Sequence, residues 1–251
     1  MSEGGMDRLP PLYVVCFDME SEFLPTFLAW YARKHAPEVI GVGFWSARSY
    51  EALDADQALW DVYEIPDTNI FDGPRYQSMS NSDAGVEEAL SHISNRSVTL
   101  YDQVGVAESA QALLRFGGRV LSAVRFEVDL PAAEVVERYE GEYLRALRGR
   151  DGVVSGRLCQ RSPRQHPWWP SNEPEWCGVV EWVSEEAAQA TYHREAASEA
   201  HESLFGDGLS RLSYNLIRRH YGLVREDASE AHSSLDVIPT MYSGHDAEEN
   251  R

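Results

Sequence analysis

The sequence predicts an α+β protein of two tandem ferredoxin-like β-α-β-β-α-β units. Three observations predict it. Two strand-like segments, LYVVCFDM (Leu12–Met19) and AVRFEVDL (Ala123–Leu130), have the same form, with Asp18 and Asp129 near their ends. A segment with helical apolar spacing follows each of them. The remaining elements recur in the same order at an offset of about 108 residues, which marks an internal repeat.

The first helix is expected from Ser21 to about His35, with Phe23, Phe27 and Tyr31 at i, i+4 and i+8. The second is expected from Ala132 to about Leu147, where Val135, Val136, Tyr139 and Tyr143 make the matching face. GFWSARSY then corresponds to GVVSGRLC, which sets Ser46 on Ser155 and Arg48 on Arg157. Third strands are read at Ala58–Ile65 and Trp176–Val183. Fourth strands are read in SVTLYDQVG and SRLSYNLIR, with Tyr101 set against Tyr214. The units are therefore expected over residues 11–108 and 119–222. Residues 223–251, acidic and poor in large apolar side chains, are expected to form a tail with little fixed structure.

Composition narrows the function classes. The net charge of −19 repels a phosphate backbone, so no nucleic-acid partner is expected. No run of about 18 apolar residues is present, so no membrane partner is expected either. Cys16, Cys159 and Cys177 lack C-x-x-C spacing, which argues against a disulfide framework or zinc site and for a reducing cytoplasm. No phosphate-binding loop, dinucleotide fingerprint, H-E-x-x-H or G-x-S-x-G motif occurs, and no cofactor or metal is expected.

One stretch resembles a known family. FLAWYARKHAPEVIGVGFWSARSYEAL, followed by ALWDVYEIPD, is similar to the EthD-like branch of the dimeric α/β-barrel superfamily. The matching residues are Trp30, Tyr31, His35, Pro37, Gly43, Phe44, Arg48, Tyr50, Tyr63 and Glu64. The second half keeps Tyr139, Gly152, Arg157 and Glu181 but has Tyr143 where the histidine would stand. The resemblance, over roughly residues 11–220, implies that the two units close their sheets into one pseudo-dimeric α/β barrel with helices outside. It leaves the reaction open.

Several side chains are candidates for chemistry. Alternation along 123–130 gives Val124, Phe126 and Val128 to the helix-covered face and Arg125, Glu127 and Asp129 to the barrel interior or solvent. Their first-half counterparts are read as Val14, Cys16 and Asp18. Such groups form either a polar pocket wall or a structural ion-pair network. Arg48 and Arg157 can bind a substrate oxyanion or close inter-strand pairs with Asp61 or Glu181. His35 lies on the buried stripe of its helix; it is either an acid/base group or a cap in the last turn, and the resemblance favours the pocket role. Tyr31, Tyr101 and Tyr139 are candidate pocket hydroxyls, with packing as the alternative. His166, Trp168 and Trp169, in the long segment RSPRQHPWWPSNEP, are read as an aromatic lid or an exposed linker.

Together these give the functional expectation. It is a cofactor-independent enzyme of secondary metabolism, a monomer with an internal pseudo-two-fold, or else a homodimer. It acts on a hydrophobic aromatic or polyketide-like molecule by cyclisation, dehydration, decarboxylation or isomerisation. His35 would be the acid/base, Arg48 or Arg125 the oxyanion holder, and Asp18 or Asp129 the assisting carboxylate. The alternatives are a cofactor-free or haem-dependent monooxygenase in the same barrel, and a non-catalytic carrier of small molecules.

Overall fold

The computed structural model describes residues 9–79, 86–106, 119–191 and 193–225. The expected tail beyond Arg225 and the last two residues of the first expected unit lie outside the described residues.

Eight antiparallel strands close into a barrel: β1 (Leu12–Met19), β2 (Ser46–Asp54), β3 (Leu59–Glu64), β4 (Ile93–Val106), β5 (Val120–Val128), β6 (Val153–Arg161), β7 (Trp176–Trp182) and β8 (Leu209–Val224). Their order around the barrel is β1-β3-β2-β8-β5-β7-β6-β4, and β4 returns to pair with β1. Thus β4-β1-β3-β2 forms one arc and β8-β5-β7-β6 the other, joined through β2–β8 and β4–β6. Among the described residues closure leaves every strand with a partner strand on each side.

Period-two alternation divides the apolar residues into three cores. Leu12, Val14, Cys16, Trp60, Val62 and Ala123 point into the barrel. Tyr13, Val15, Phe17, Leu59 and Tyr63 face helices outside the first arc. Val124, Phe126, Trp176 and Val180 face helices outside the second. The barrel interior itself is nearly solid. Its cavity is about 20 Å³ and lined by apolar side chains, with space for one water at most.

The first helix runs further than its periodicity suggests. Helix α1 (Leu24–Trp30) passes into a π-helical turn at Tyr31–His35 and continues as α2 (Ala36–Val42). The cause is Pro37, which reads as a stop signal but is tolerated where the wider turn accommodates a residue without an N–H. In that turn the Ala36 N–H reaches Tyr31 O, so the Ala32 carbonyl would face the missing N–H of Pro37. The Tyr221 hydroxyl of β8 donates to that carbonyl at 3.1 Å instead. Gly43, at φ 127°, ends the helix, its N–H reaching Val39 O and Ile40 O. His35 is therefore inside a helix and does not cap one.

The short helices α3 (Pro74–Gln77) and α4 (Glu87–Ser91) add to the first helical layer. The second arc is likewise covered by helices. Helix α5 (Ala132–Arg138), a π-turn at Tyr139–Leu144 and α6 (Arg145–Leu147) cover it, together with α7 (Glu185–Thr191) and α8 (Arg194–Phe205). The pairing of Tyr101 with Tyr214 is corrected by the register. Tyr101 points into the barrel whereas Tyr214 faces the outer helices, so Tyr214 matches Val98 and Tyr101 matches Ile217. Among the described residues no helix is long and apolar enough to cross a membrane.

Candidate active site

The pocket lies outside the barrel, between the first arc and its helices. Its volume is about 420 Å³, within the range of small-molecule sites. The floor is the outward face of β1 and β3, with Tyr13, Val15, Phe17, Asp61 and Tyr63. Trp30, His35 and Val39 of the helix form one wall, and Arg96 of β4 and Trp169 stand opposite.

Among the described residues, Asp61 is the one carboxylate lining this pocket. Strand LWDVYE alternates, so Leu59, Asp61 and Tyr63 share the helix-covered face while Trp60, Val62 and Glu64 enter the barrel. The residue is 4% exposed and Oδ1 has no hydrogen-bond partner. Burial raises its pKa to about 7, against the opposing pull of the Ser49 hydroxyl, directly across on β2, and the positive charge of Arg96. A carboxylate so placed is half ionised near neutrality and suited to act as a base.

His35 completes the pair of titrating groups. Its Nε2 shares a 3.1 Å hydrogen bond with the Tyr63 hydroxyl, and its ring stacks on Trp30 at 4.8 Å between centroids. Burial, aided by Arg96, lowers its pKa to about 4, so the imidazole is neutral at pH 7. Tyr63, Tyr31 and Tyr13 are held protonated, chiefly by burial.

A segment between β6 and β7 closes the pocket from the other half of the chain. Gln165 bonds both the N–H and the carbonyl of Leu100, and Ser171 bonds Thr99 at 2.7 Å. His166 is 2% exposed and accepts from the Trp168 N–H through Nδ1. Its Nε2 therefore carries the proton and donates to the Tyr76 hydroxyl at 2.9 Å. These anchors set Trp169 into the pocket and leave Trp168 at its rim, 56% exposed. The expected aromatic lid is a fixed wall.

Other expected site residues lie elsewhere. Arg48 points into the barrel and pairs with Glu64 at 3.0 Å, with Ser46 bridging; its partner is not Asp61, which faces the opposite side. Arg157 pairs likewise with Glu181 and Gln103. Arg125 enters the barrel, donates to Glu173 and Cys16 at 2.8 Å each, and covers the Trp60 ring. Asp18 accepts from the Ala58 N–H and from Asn95, tying the β2–β3 turn to β4. Glu127 accepts from the Glu175 N–H, and Asp129 is exposed beyond the end of β5. Tyr101 is buried in the barrel and Tyr139 in the second helical layer. Only His35, Trp169 and the adjacent Tyr31 gather at the pocket, and Tyr31 lies behind His35 at 5.4 Å between rings.

Asp61 and Arg96 were not among the expected site residues. Alternation carries the signal for both, since it puts Asp61 beside Tyr63 and Arg96 beside Val98 and Leu100 on helix-covered faces.

The His201 Nε2 is buried and has no hydrogen-bond partner, so whether it could ligate a haem turns on the packing around its ring. The His201 ring on α8 packs among Phe126, Tyr139 and Tyr143 at centroid distances of 5.1–5.8 Å, its Nδ1 bonded to Ala197 O. His35 in the open pocket commits Nε2 to Tyr63. No group of three or more metal-ligating side chains is found among the described residues.

Comparisons with solved structures show the same architecture. The chain is similar to an anthrone oxidase-like protein (TM-score 0.58, 10% identity, 87% of this chain and 94% of that one). It is similar to a putative monooxygenase from Lactobacillus acidophilus (TM-score 0.55, 13% identity, 86% and 97%). A putative chlorite dismutase also matches, with TM-score 0.51 and 11% identity over 84% of this chain and 94% of that one. All three are dimeric α/β-barrel proteins, and this chain has that fold. No protein-family model matches the sequence, and no curated protein matches it significantly.

Proposed function

We propose that the chain is an enzyme that removes a proton from a carbon acidified by a carbonyl, adjacent or conjugated through an aromatic ring, in a hydrophobic, aromatic or polyketide-like molecule. The observation that carries this is Asp61, a buried carboxylate with an unpartnered oxygen on the floor of an aromatic pocket, beside the His35–Tyr63 pair. Asp61 takes the proton. The Tyr63 hydroxyl, held by His35, donates to the carbonyl oxygen as it gains charge, and the aromatic walls exclude water. Enolate formation of this kind begins cyclisations, dehydrations and isomerisations alike.

A second reading continues from the same carbanion. A cofactor-free oxygenation is favoured by the fold shared with an anthrone oxidase-like protein and a putative monooxygenase. Both readings place the chain as an EthD-like barrel whose two ferredoxin-like units, residues 11–108 and 119–222, act as a fused pseudo-dimer. In it the second unit supplies Trp169 to the pocket of the first.

Anthrone, a tricyclic ketone with an acidic methylene, is a suitable probe. The protein is expected to speed exchange of its methylene protons with D2O, followed by NMR under nitrogen. Asp61→Asn is expected to lower that rate by about 10²-fold or more. Equal exchange by the Asn variant would remove Asp61 as the base.

A further inference from the structure

Arg96 stands at the pocket mouth with its guanidinium 4.1 Å from the centroid of the Trp169 ring. It projects from the outward face of β4, in line with Val98 and Leu100, and its side chain lines the cavity. The residue is exposed, and among the described residues no carboxylate pairs with it. The three buried arginines, by contrast, all have carboxylate partners: Arg48 pairs with Glu64, Arg125 with Glu173 and Arg157 with Glu181.

The positive charge is also turned toward the site. It bears on Tyr13, His35, Asp61, Tyr76 and His166, the polar side chains in and around the cavity. An arginine stacked on an indole keeps its in-plane N–H donors free for a second planar partner. The rest of the lining is largely apolar and aromatic, with Phe17, Phe27 and Phe44 among it.

We infer that the pocket selects an aromatic acid: a flat ring system seated on the aromatic floor, with one carboxylate or ionised phenol held by Arg96 at the mouth. This deepens the proton-transfer reading, because it fixes which end of the substrate faces out and leaves the enolisable carbon beside Asp61. Asp61 is a poor alternative anchor for an anion, being itself an acid. The field of a chain with net charge −19 disfavours anions in general, so a preference for an anion must come from a local cation.

The test compares two ligands of matched shape, 2-naphthoate and its neutral isostere 2-acetylnaphthalene. Binding to the full chain is measured by calorimetry at pH 6 and low salt, where the naphthoate is ionised. The wild type is expected to prefer the anion by about tenfold or more. Arg96→Gln is expected to erase that preference while leaving the affinity for the neutral ketone within about twofold; Arg96→Lys is expected to keep part of it. Because Arg96 is exposed, neither variant threatens folding. Equal or tighter binding of the ketone by the wild type would overturn the inference and leave the proton-transfer reading standing. Binding of neither ligand would overturn it too, and only then would the pocket itself come into question. An anion preference that survives Arg96→Gln would place the anion elsewhere and reject Arg96.

Discussion

Tyr139 lays its hydroxyl over Gly178: a Cβ built on that glycine would stand 1.8 Å from the Tyr139 oxygen. The phenol thus occupies the place a side chain on β7 would need. Asp61 and Gly178 each precede the barrel-facing glutamate of their strand, Glu64 and Glu181, by three residues. In the first arc that place holds a carboxylate beneath a cavity. In the second it holds a tyrosine ring, packed with Phe126 and His201. One glycine therefore marks the filled side of the molecule and one aspartate the open side.

The filled side makes a direct stability prediction. Gly178→Ala forces Tyr139 out of its seat, and overpacking of this kind costs about 1–3 kcal/mol. A lowered thermal midpoint is expected, with part of the loss recovered in Gly178→Ala combined with Tyr139→Phe, which removes the clashing oxygen. An unchanged midpoint in the single variant would mean the ring does not occupy that position.

Asp61 makes stability depend on pH in an unusual direction. Its pKa is raised in the folded protein, from the 3.8 of a free side chain to about 7. Its neutral form is the one folding favours, so the contribution is fully present below about pH 4 and is lost as pH rises through 7. Asp61→Asn keeps the neutral shape at every pH. The variant is expected to gain on the wild type by about 1–4 kcal/mol at pH 8 and to differ little at pH 4. Denaturant midpoints at the two pH values measure this, and an Asn variant that is less stable at pH 8 would mean the carboxylate is well solvated.

His35 and Asp61 are separable by substitution. Glutamine at position 35 can still bond Tyr63, so His35→Gln is expected to lower proton exchange by about tenfold or less, against about 10²-fold or more for Asp61→Asn. It should also cost about 0.5–1.5 kcal/mol of stability, because the ring stacked on Trp30 is lost. Exchange kinetics and an unfolding midpoint on the same variant give both numbers. A loss matching that of Asp61→Asn would make His35 the proton carrier.

The barrel was legible because its signals are local and periodic. Strand alternation in LYVVCFDM and LWDVYEI and the helical stripes ending in Tyr31 and Tyr139 each specify a buried face. The helix past His35 was hidden because Pro37 reads as a terminator, and only the π-turn and the distant Tyr221 hydroxyl make it tolerable. The site was harder to read. Arg48, Arg125 and Arg157 carry the charge pattern of a substrate clamp, yet alternation sends them into a barrel with almost no free space, where glutamates neutralise them. The pocket instead arises where Asp61 stands on a helix-covered face. That position follows from the alternation, but the cavity above it depends on packing between distant segments.

The structure of a complex tests the account most directly. Crystals grown with anthrone should show the ligand on the outer face of β1 and β3, between Trp169 and the His35 helix, with its methylene carbon within about 3.5 Å of an Asp61 oxygen. Ligand density inside the barrel beside Arg125, or beneath α8 beside His201, would contradict it.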